Sequence, residues 1–278
     1  MKRGSSNKNF LIALNKPSGI SSHDLVNEYR RKINERRIGH MGTLDPLAEG
    51  LMILGVGQAA RLNQFLEEED KTYIVDIKFG QATNTFDAEG TVTKTGPIPQ
   101  GIDVSEFVGK QQQTPPAFSA VKINGKPAYV SARKGRDVKL PSRKIEVYAA
   151  CITDNSRAEE GIWSVELHVS KGTYIRSLVH DFGEKMGCPA HVLGLKRTKI
   201  GAISLDDAGR IIDPCSLLGF EEYLVTDKEA EDVLCGRMLN LEGFSGNVSV
   251  LHNNKLLAIY NEGKAVCVFS NNGGIQRS

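Results

Sequence analysis

Asp45 stands in a short, glycine-rich segment of the chain. The segment GHMGTLDPLAEG, residues 39–50, places Asp45 directly before Pro46, and the next acid, Glu49, lies four positions further on. Proline fixes its own φ and restricts the preceding residue to extended conformations, so the backbone of Asp45 is confined. A solitary carboxylate that is positioned in advance suits a nucleophile or a general base. An ordinary Asp-Pro turn is the alternative, and it is the better one for these residues alone.

Three other side chains are candidates for contact with a substrate, and each also has a purely structural interpretation. His40 could contact a substrate or shuttle a proton, or it could simply be a structural histidine. Tyr73 lies on the same strand face as Val75 and Ile77, which is typical of a core residue, although its ring could stack on a nucleobase. Arg176 follows Ile175 near the apolar stripe of a helix, as a surface arginine or as a buried partner of a carboxylate or phosphate. The residues alone leave these alternatives open.

Residues 122–144 form a strongly basic segment. They contain eight Lys or Arg against one acid, Asp137, with Gly, Pro and Tyr129 interleaved. A composition of this kind suits a mobile element that grips phosphates, whereas the simpler alternative is a solvated basic face. A second basic patch at residues 30–37 precedes Asp45. Together the two patches favour a nucleic-acid partner.

Hydrophobic periodicity predicts the elements that must position these residues. The pattern predicts strands at FLIAL (10–14), LMILGV (51–56), 71–80, 115–125, 144–152, 161–169 and from 190 onwards, and a hairpin over 82–96. It predicts helices from Ser21 or Ser22 to about Ile33, near 59–66, near 105–110 and over 170–187. In the last of these, Ile175, Leu178, Val179, Phe182 and Met186 follow helical spacing, and Gly187 is a suitable terminator.

The chain length of 278 residues allows one large domain and one small one. We predict an α+β fold, with a central mixed, mainly antiparallel sheet flanked by helices over residues 1–220. From about residue 221 the pattern changes to short strands separated by Asn/Gly turns. Residues 221–278 are therefore predicted to form a small β-rich C-terminal domain.

Bulk composition excludes several classes of protein. A net charge of +2 provides no global field that would attract a polyanion, so nucleic-acid binding must come from local clusters. Apolar runs are too short for a transmembrane helix or a signal peptide, which indicates a cytoplasmic protein without membrane contact. The five cysteines are widely spaced and form no CxxC pair, and His40 has no second ligand at suitable spacing. No metal site is expected.

Five separated segments resemble the motifs of the TruB family of tRNA pseudouridine-55 synthases. GHMGTLDPLAEGLMILGVGQAARL resembles the family's nucleophile motif, and NKPSGISSHDLV resembles its N-terminal motif. The remaining three are KTYIVDIKFGQATNTFDAEG, QQTPPAFSAVKINGKPAYVSARKGR and SKGTYIRSLVHDFGEKMGCPAHVLGLKRT. They occur in the family's order and cover about residues 10–200, whereas the C-terminal part matches poorly.

The resemblance implies a role for each candidate residue. Asp45 matches the catalytic aspartate, and Arg176 matches the arginine that pairs with it. Tyr73 matches the tyrosine that stacks on the target base, and His40 the histidine that helps to extrude the nucleotide. Further substrate-binding candidates are Leu195, which matches an apolar residue of the pocket, Lys16, which lies in the supporting motif, and Tyr174, from the motif of Arg176. Residues 118–144 match a mobile thumb, with RNA-backbone contacts expected from Lys122, Lys126, Arg133, Lys134 and Arg136.

The function implied is isomerisation of uridine 55 to pseudouridine in the T-loop of tRNA, with the base flipped out of the loop. It needs neither a cofactor nor a metal. Asp45 would act either by attack on C1′ or by removal of the 2′ proton, and both routes remain open. The expected partner is the T-arm of tRNA, the enzyme is expected to be monomeric, and the C-terminal domain is expected to be PUA-like and RNA-binding. Two departures, Phe118 in place of a tyrosine and QAARL in place of a Thr-Lys-type ending, could alter RNA contacts.

Three other functions were weighed against this one. A non-catalytic RNA-binding or RNA-folding protein would keep the basic thumb but could lose Asp45, Tyr73 or Arg176, all of which are present. A guide-RNA-dependent, dyskerin-type synthase usually carries longer tails and a fuller C-terminal domain. A glycoside hydrolase needs a second positioned acid, and no acid is paired with Asp45 by spacing.

Overall fold

A computed structural model describes residues 8–66, 68–119, 121–123, 125–132, 134, 140–269 and 274–277 of the chain. The predicted α+β class is confirmed. The chain forms two compact units. The first unit contains the described residues of Met1–Pro46, Gly50–Glu69 and Gly201–Ser278, and the second contains those of Leu47–Glu49 and Asp70–Ile200. The predicted domain boundary at residue 220 stays a prediction, since residues 201–278 group here with the N-terminal strands.

The strands are β1 (Phe10–Lys16), β2 (Ile38–Met41), β3 (Glu49–Val56), β4 (Lys71–Phe79), β5 (Gln81–Thr83), β6 (Val92–Thr95), β7 (Gly109–Gln113), β8 (Lys122–Ile123), β9 (Lys126–Pro127), β10 (Arg143–Asp154), β11 (Ile162–Val169), β12 (Ala190–Ile200), β13 (Ile203–Ser204), β14 (Ile211–Ile212), β15 (Glu221–Leu224), β16 (Asn247–His252), β17 (Lys255–Asn261), β18 (Lys264–Val268) and β19 (Ile275–Gln276). The α-helices are α1 (Ser22–Ile33), α2 (Asn63–Leu66), α3 (Ala128–Ala132), α4 (Ile175–Lys185), α5 (Pro214–Leu218) and α6 (Asp227–Leu234).

The N-terminal part of the first unit is organised around β1, which pairs antiparallel with β3 and β14, while β2 pairs with β3. Helix α1 begins where the sequence predicts, because Ser21 and Asp24 form a capping box. It ends at Asn34, which adopts φ +50°. A 3-10 helix, Gly57–Leu62, and α2 follow β3, in the predicted place.

The C-terminal part of the first unit contains a five-stranded sheet in the order β15-β16-β17-β18, with β19 beside β17. Strands β16, β17 and β18 correspond to the three predicted segments, and β15 pairs with β16 in parallel. Helix α6 packs on β17 and β18 and contributes Ala230 and Val233 to a small core that includes Tyr260. This part of the chain is β-rich, as predicted.

The second unit contains an antiparallel run of strands, β12-β4-β11-β10-β7. The alternation predicted for β4 is present, since Tyr73, Val75, Ile77 and Phe79 are all buried. Helix α4 packs on β12 and β4, and Phe182 on its apolar stripe stacks against Phe107 with ring centroids 4.0 Å apart. The predicted hairpin over residues 82–96 is confirmed as β5 and β6.

Two predicted elements are wrong. The helix near 105–110 is only a 3-10 turn, Val104–Phe107, after which the chain extends into β7. Strand β7 pairs with β10 over five residue pairs, from Arg143↔Gln113 to Val147↔Gly109. The local sequence does not reveal this long-range pairing. The strand over 115–125 is also wrong in its first half, since residues 114–119 belong to no strand. Of the described residues in this range, only Lys122–Ile123 pairs, with β9.

Candidate active site

The turn that carries Asp45 is fixed by hydrogen bonds on both sides of this residue. Before it, the Ser22 hydroxyl donates to the carbonyl of Leu44 and accepts from the Leu44 amide, both at 2.8 Å. After it, the carbonyl of Pro46 accepts from the Gly19 amide at 2.8 Å. Ser22 is buried, whereas Asp45 is partly exposed. The backbone of the carboxylate is therefore held in place before any ligand binds.

Lys16 ties the same turn to β1. Its side chain is fully buried, and its Nζ donates to the carbonyls of Pro17 and Ile20, at 2.9 and 2.7 Å, and to that of Pro46, at 3.4 Å. A buried ammonium group is tolerated only when it is well hydrogen-bonded. Lys16 thus acts as a cross-link between the segment 17–20 and the Asp-Pro turn, in agreement with the supporting role predicted for its motif.

A Lys16→Met variant removes this cross-link but keeps a side chain of similar length. Three carbonyls lose a donor, so the free energy of unfolding should fall by about 1–3 kcal/mol. Because Pro46 is then less firmly held, the rate of any reaction that depends on Asp45 should fall by about tenfold. Urea denaturation and single-turnover kinetics measure the two effects. Lys32→Met, at an exposed position of α1, is the matched control, and equal behaviour of the two variants would contradict the role given to Lys16.

His40 lies on β2, opposite Leu54 of β3, and is partly exposed. Its backbone carbonyl accepts from the side-chain amide of Asn63 at 2.8 Å. This bond connects β2 with α2 and fixes the strand that leads into the Asp45 turn. The position is compatible with either interpretation of the imidazole, as a structural group or as a contact to substrate.

In the second unit, Tyr73 and Leu195 share one face of neighbouring strands. Val75 pairs with Leu195 and Tyr73 with Arg197 across β4 and β12, so Tyr73 and Leu195 are diagonal neighbours. Tyr73 is 8% exposed and Leu195 is partly exposed. The structure therefore brings these two predicted pocket residues together, as an aromatic ring beside an aliphatic side chain.

Tyr174 lies at the N-terminal end of α4, where two hydrogen bonds hold its backbone. Its amide donates to Gln113 Oε1 at 2.8 Å, and Gln113 Nε2 donates to its carbonyl at 3.0 Å. The guanidinium of Arg143 lies over the tyrosine ring, 5.3 Å from its centroid, which is within range for a cation–π contact. A buried glutamine and a stacked arginine thus fix the position of a partly exposed ring.

Arg176 is buried, 6% exposed, in the first turn of α4. Its Nη1 donates to the carbonyl of Thr85 and its Nη2 to the carbonyl of Phe118, both at 3.0 Å. Nη1 also lies 3.3 Å from Oδ2 of Asp87, whose side chain is 4% exposed. The surface-arginine interpretation is therefore wrong, and Arg176 is a buried cation that joins α4 to the loops that contain residues 85–87 and 118.

Asp87 is a residue of this cluster that sequence reasoning missed. Its Oδ1 accepts from the Thr85 hydroxyl at 2.5 Å and from the Glu89 amide at 3.1 Å, while its backbone carbonyl accepts from the Thr83 hydroxyl at 2.7 Å. These bonds fix the carboxylate within the β5–β6 hairpin. The only signal in the sequence was an acid flanked by turn residues in TNTFDAEG, which is also typical of an exposed loop.

His180 lies one helical turn after Arg176 and stacks on Phe86, with ring centroids 3.9 Å apart and planes 10° apart. Burial lowers the pKa of His180, although the nearby carboxylates of Asp181 and Glu184 oppose that effect. The neutral imidazole is thus favoured near pH 7, so His180 adds no second positive charge beside Arg176. The stack holds Phe86, whose backbone adopts φ +63°, directly before Asp87.

The predicted RNA-backbone residues are only partly described. Lys134 is exposed, whereas Arg133 and Arg136 lie outside the described residues, as do the side chains of Lys122 and Lys126. Within the described ranges, no group of three or more His, Cys, Asp or Glu side chains is placed to hold a metal ion. Over the same ranges, no helix is long and apolar enough to span a bilayer.

The predicted site residues are divided between the two units. Lys16, His40 and Asp45 belong to the first, whereas Tyr73, Tyr174, Arg176 and Leu195 belong to the second. Within each unit, the backbone around the functional groups is fixed by buried polar contacts. The first unit supplies the positioned carboxylate of Asp45, and the second unit supplies an aromatic and aliphatic surface and the buried pair of Arg176 and Asp87.

Two family models match this chain. TruB family pseudouridylate synthase (N terminal domain) matches residues 30–175, and tRNA pseudouridylate synthase B C-terminal domain matches residues 176–242. Among curated proteins, tRNA pseudouridine synthase B of Thermosipho melanesiensis is 45% identical over 228 residues, which cover 80% of this chain and 73% of the relative. The tRNA pseudouridine synthase B of Opitutus terrae is 41% identical over 234 residues, which cover 81% of this chain and 96% of the relative.

The fold is also similar to solved structures. A chain from a Cbf5-Nop10-Gar1 complex superposes with a TM-score of 0.66 at 22% identity, covering 94% of this chain and 83% of its own length. A chain from an archaeal box H/ACA sRNP Nop10-Cbf5 complex superposes with a TM-score of 0.64 at 21% identity, covering 100% of this chain and 87% of its own length. At such low identity the likeness extends to the fold alone.

Proposed function

The chain belongs to the TruB family of pseudouridylate synthases and is a tRNA pseudouridine synthase, an isomerase, and we propose that its target is uridine 55 in the T-loop. The observation that carries the proposal is the Asp-Pro turn, anchored on both sides, within the family's nucleophile motif. Neither a non-catalytic RNA-binding role nor a guide-RNA-dependent one is favoured.

The proposed reaction rearranges atoms within one nucleotide. The N1–C1′ glycosidic bond breaks, the uracil rotates, and C5 bonds to C1′. The proton at C5 then leaves and N1 gains a proton, so that the product is an isomer of the substrate. No electrons are exchanged with an external group, and the chemistry needs only a carboxylate and proton transfers.

Asp45 is proposed as the catalytic group. As the carboxylate, it would either attack C1′ or remove the 2′ proton, and both routes require the same fixed and ionised side chain. We propose that Arg176 pairs with Asp45 and favours its ionised form, because a neighbouring positive charge lowers the pKa of an aspartate. The buried cluster of Arg176 and Asp87 supports this by holding the guanidinium in a single position.

The substrate-binding residues are proposed to hold an everted base. Flipping a nucleotide costs a few kcal/mol. Stacking on Tyr73 would offset about 1–3 kcal/mol of that cost, with Leu195 beside the ring. His40 is proposed to help extrude the nucleotide and Tyr174 to contact it. The arrangement of Tyr73 beside Leu195 supports the existence of such a pocket.

The basic thumb, residues 118–144, is proposed to grip the RNA backbone. Replacement of Lys122, Lys126, Arg133, Lys134 and Arg136 by glutamine should weaken binding of a T-arm stem-loop and flatten its salt dependence, because fewer counterions are released. Fluorescence anisotropy at several salt concentrations measures both effects. The control replaces five exposed basic residues outside the thumb and outside residues 221–278, namely Lys94, Arg157, Lys185, Lys199 and Arg210. An equally steep salt dependence in both variants would contradict the role of the thumb.

The wider setting of the enzyme is also a proposal. A tRNA substrate and curated bacterial relatives support a cytoplasmic location and a requirement for RNA binding. We propose a monomer that needs no cofactor, with residues 221–278 as a small, PUA-like, RNA-binding domain. The function is tested by mapping pseudouridine in bulk tRNA from cells that lack the protein. Loss at position 55 alone is expected, whereas an unchanged tRNA profile would refute the proposal.

A further inference from the structure

Three lysines from separate parts of the second unit line one groove. Lys110 lies in β7, Lys144 in β10, and Lys171 in the turn that precedes α4. The groove has a volume of about 650 Å³, and Gln111, Gln112, Glu146 and Ser170 complete its polar lining. Only Lys144 belongs to the basic segment 122–144 of the sequence. The groove is therefore a feature that folding creates.

The walls of the groove are rigid. Lys144 pairs with Gln112, and Glu146 with Lys110, across the antiparallel strands β7 and β10, so all four side chains point to one face. The turn is fastened to β10 by two bonds of 2.8 Å, from the Ser170 amide to the carbonyl of Glu146 and from the Glu146 amide to Ser170 Oγ. Lys171 is thereby held at a fixed place beside the strands.

The charge of the groove favours an anion. Three ammonium groups face one carboxylate, Glu146, which lies directly opposite Lys110. In the described part of the chain, β7 is the edge strand of its sheet. A lysine on an edge strand often serves to prevent pairing with a strand of another chain. That explanation covers Lys110 but not Lys171, which lies outside any strand. A concave surface lined by three lysines is better suited to phosphates.

The same strands also lead to a predicted substrate contact. Gln113, the last residue of β7, exchanges two hydrogen bonds with the backbone of Tyr174, and Arg143, the first residue of β10, stacks on its ring. Lys171 precedes Tyr174 by three residues. The groove is thus continuous with the framework that positions Tyr174.

We propose that this groove binds phosphate groups of the RNA backbone next to the segment held by Tyr174, a role that rests on the proposed function and adds a binding surface to it. The lysines act as mobile point charges on successive phosphates. Their contribution is independent of base sequence. It supplies affinity and register rather than chemistry.

A triple variant, Lys110→Gln, Lys144→Gln and Lys171→Gln, tests the groove. Its Kd for a T-arm stem-loop should rise about tenfold at low salt, and the slope of log K against log salt should fall by about 2. The rate at saturating RNA should stay near that of the wild type. The control, Lys94→Gln, Arg157→Gln and Lys185→Gln, removes the same charge at exposed positions outside the groove and outside residues 221–278. Fluorescence anisotropy and single-turnover kinetics give the readouts.

The outcomes separate the groove from the proposed function. If the wild type modifies the stem-loop but both triple variants have the same Kd and salt slope, the groove is refuted and the function stands. If the wild type leaves uridine 55 unmodified, the proposed function fails whatever the groove does. A selective loss of affinity in the groove variant, with an unchanged rate at saturation, supports the groove. A selective loss of that rate would contradict a role confined to binding.

Discussion

The Asp45→Asn variant is expected to form no detectable pseudouridine, a loss of at least about 10³-fold, while it still binds RNA. Asparagine keeps the size of the side chain but removes the negative charge that both proposed routes require. The turn itself should persist, because Ser22, Gly19 and Lys16 hold the backbone of Leu44 and Pro46 and not the carboxylate. Release of tritium from [5-³H]uridine in a T-arm stem-loop measures the reaction, and anisotropy measures binding.

A matched control exists in the same segment. Glu49 is the next acid, and its side chain lies 3.5 Å from Lys196 in an exposed ion pair that contributes little to stability. Glu49→Gln should therefore turn over at close to the wild-type rate. Turnover of Asp45→Asn within tenfold of that control would remove Asp45 from the chemistry.

Arg176→Lys is expected to lose about 10²-fold or more of the single-turnover rate, although the positive charge is kept. A lysine has one ammonium group, which cannot replace a planar guanidinium that donates to the carbonyls of Thr85 and Phe118 and lies beside Asp87. Unmatched carbonyls should lower the free energy of unfolding by about 1–3 kcal/mol. Single-turnover kinetics measure the rate, and urea denaturation measures the free energy of unfolding.

Two further variants show whether the effect of Arg176→Lys is specific to the buried cluster. Arg157→Lys, in an exposed pair with Glu160, is the matched control and should change neither quantity. Asp87→Asn keeps Arg176 but removes its buried anion, so it should lower the maximal rate with little change in KM if Asp87 positions the guanidinium. An Arg176→Lys enzyme as fast as the wild type would contradict the role given to the guanidinium of Arg176.

Local signals were sufficient for much of the fold. A capping serine at position 21 or 22 predicts the start of α1, and the spacing of Leu178, Val179 and Phe182 predicts α4. Asn/Gly turns separated the C-terminal strands correctly. Each of these signals acts within a few residues of the feature that it specifies, so a single sequence contains all of it.

Features that depend on distant residues were not predictable in this way. Strand β7 exists because β10, 30 residues away along the chain, pairs with it. The local sequence around Asp87 is typical of an exposed loop, and the fold places Arg176, 89 positions later, beside it in a buried ion pair. For the same reason no local signal groups Lys110 with Lys171. The restricted backbone of Asp45 follows directly from Pro46, whereas its catalytic role is implied by the resemblance.

One measurement tests the central claim most directly. Purified protein is incubated with an unmodified tRNA transcript, and pseudouridine is mapped at each position for the wild type and for Asp45→Asn in parallel. One pseudouridine per tRNA, at position 55 with the wild type and none with the variant, is the predicted result. Conversion by both proteins, or by neither, would contradict a mechanism in which this single aspartate isomerises that uridine.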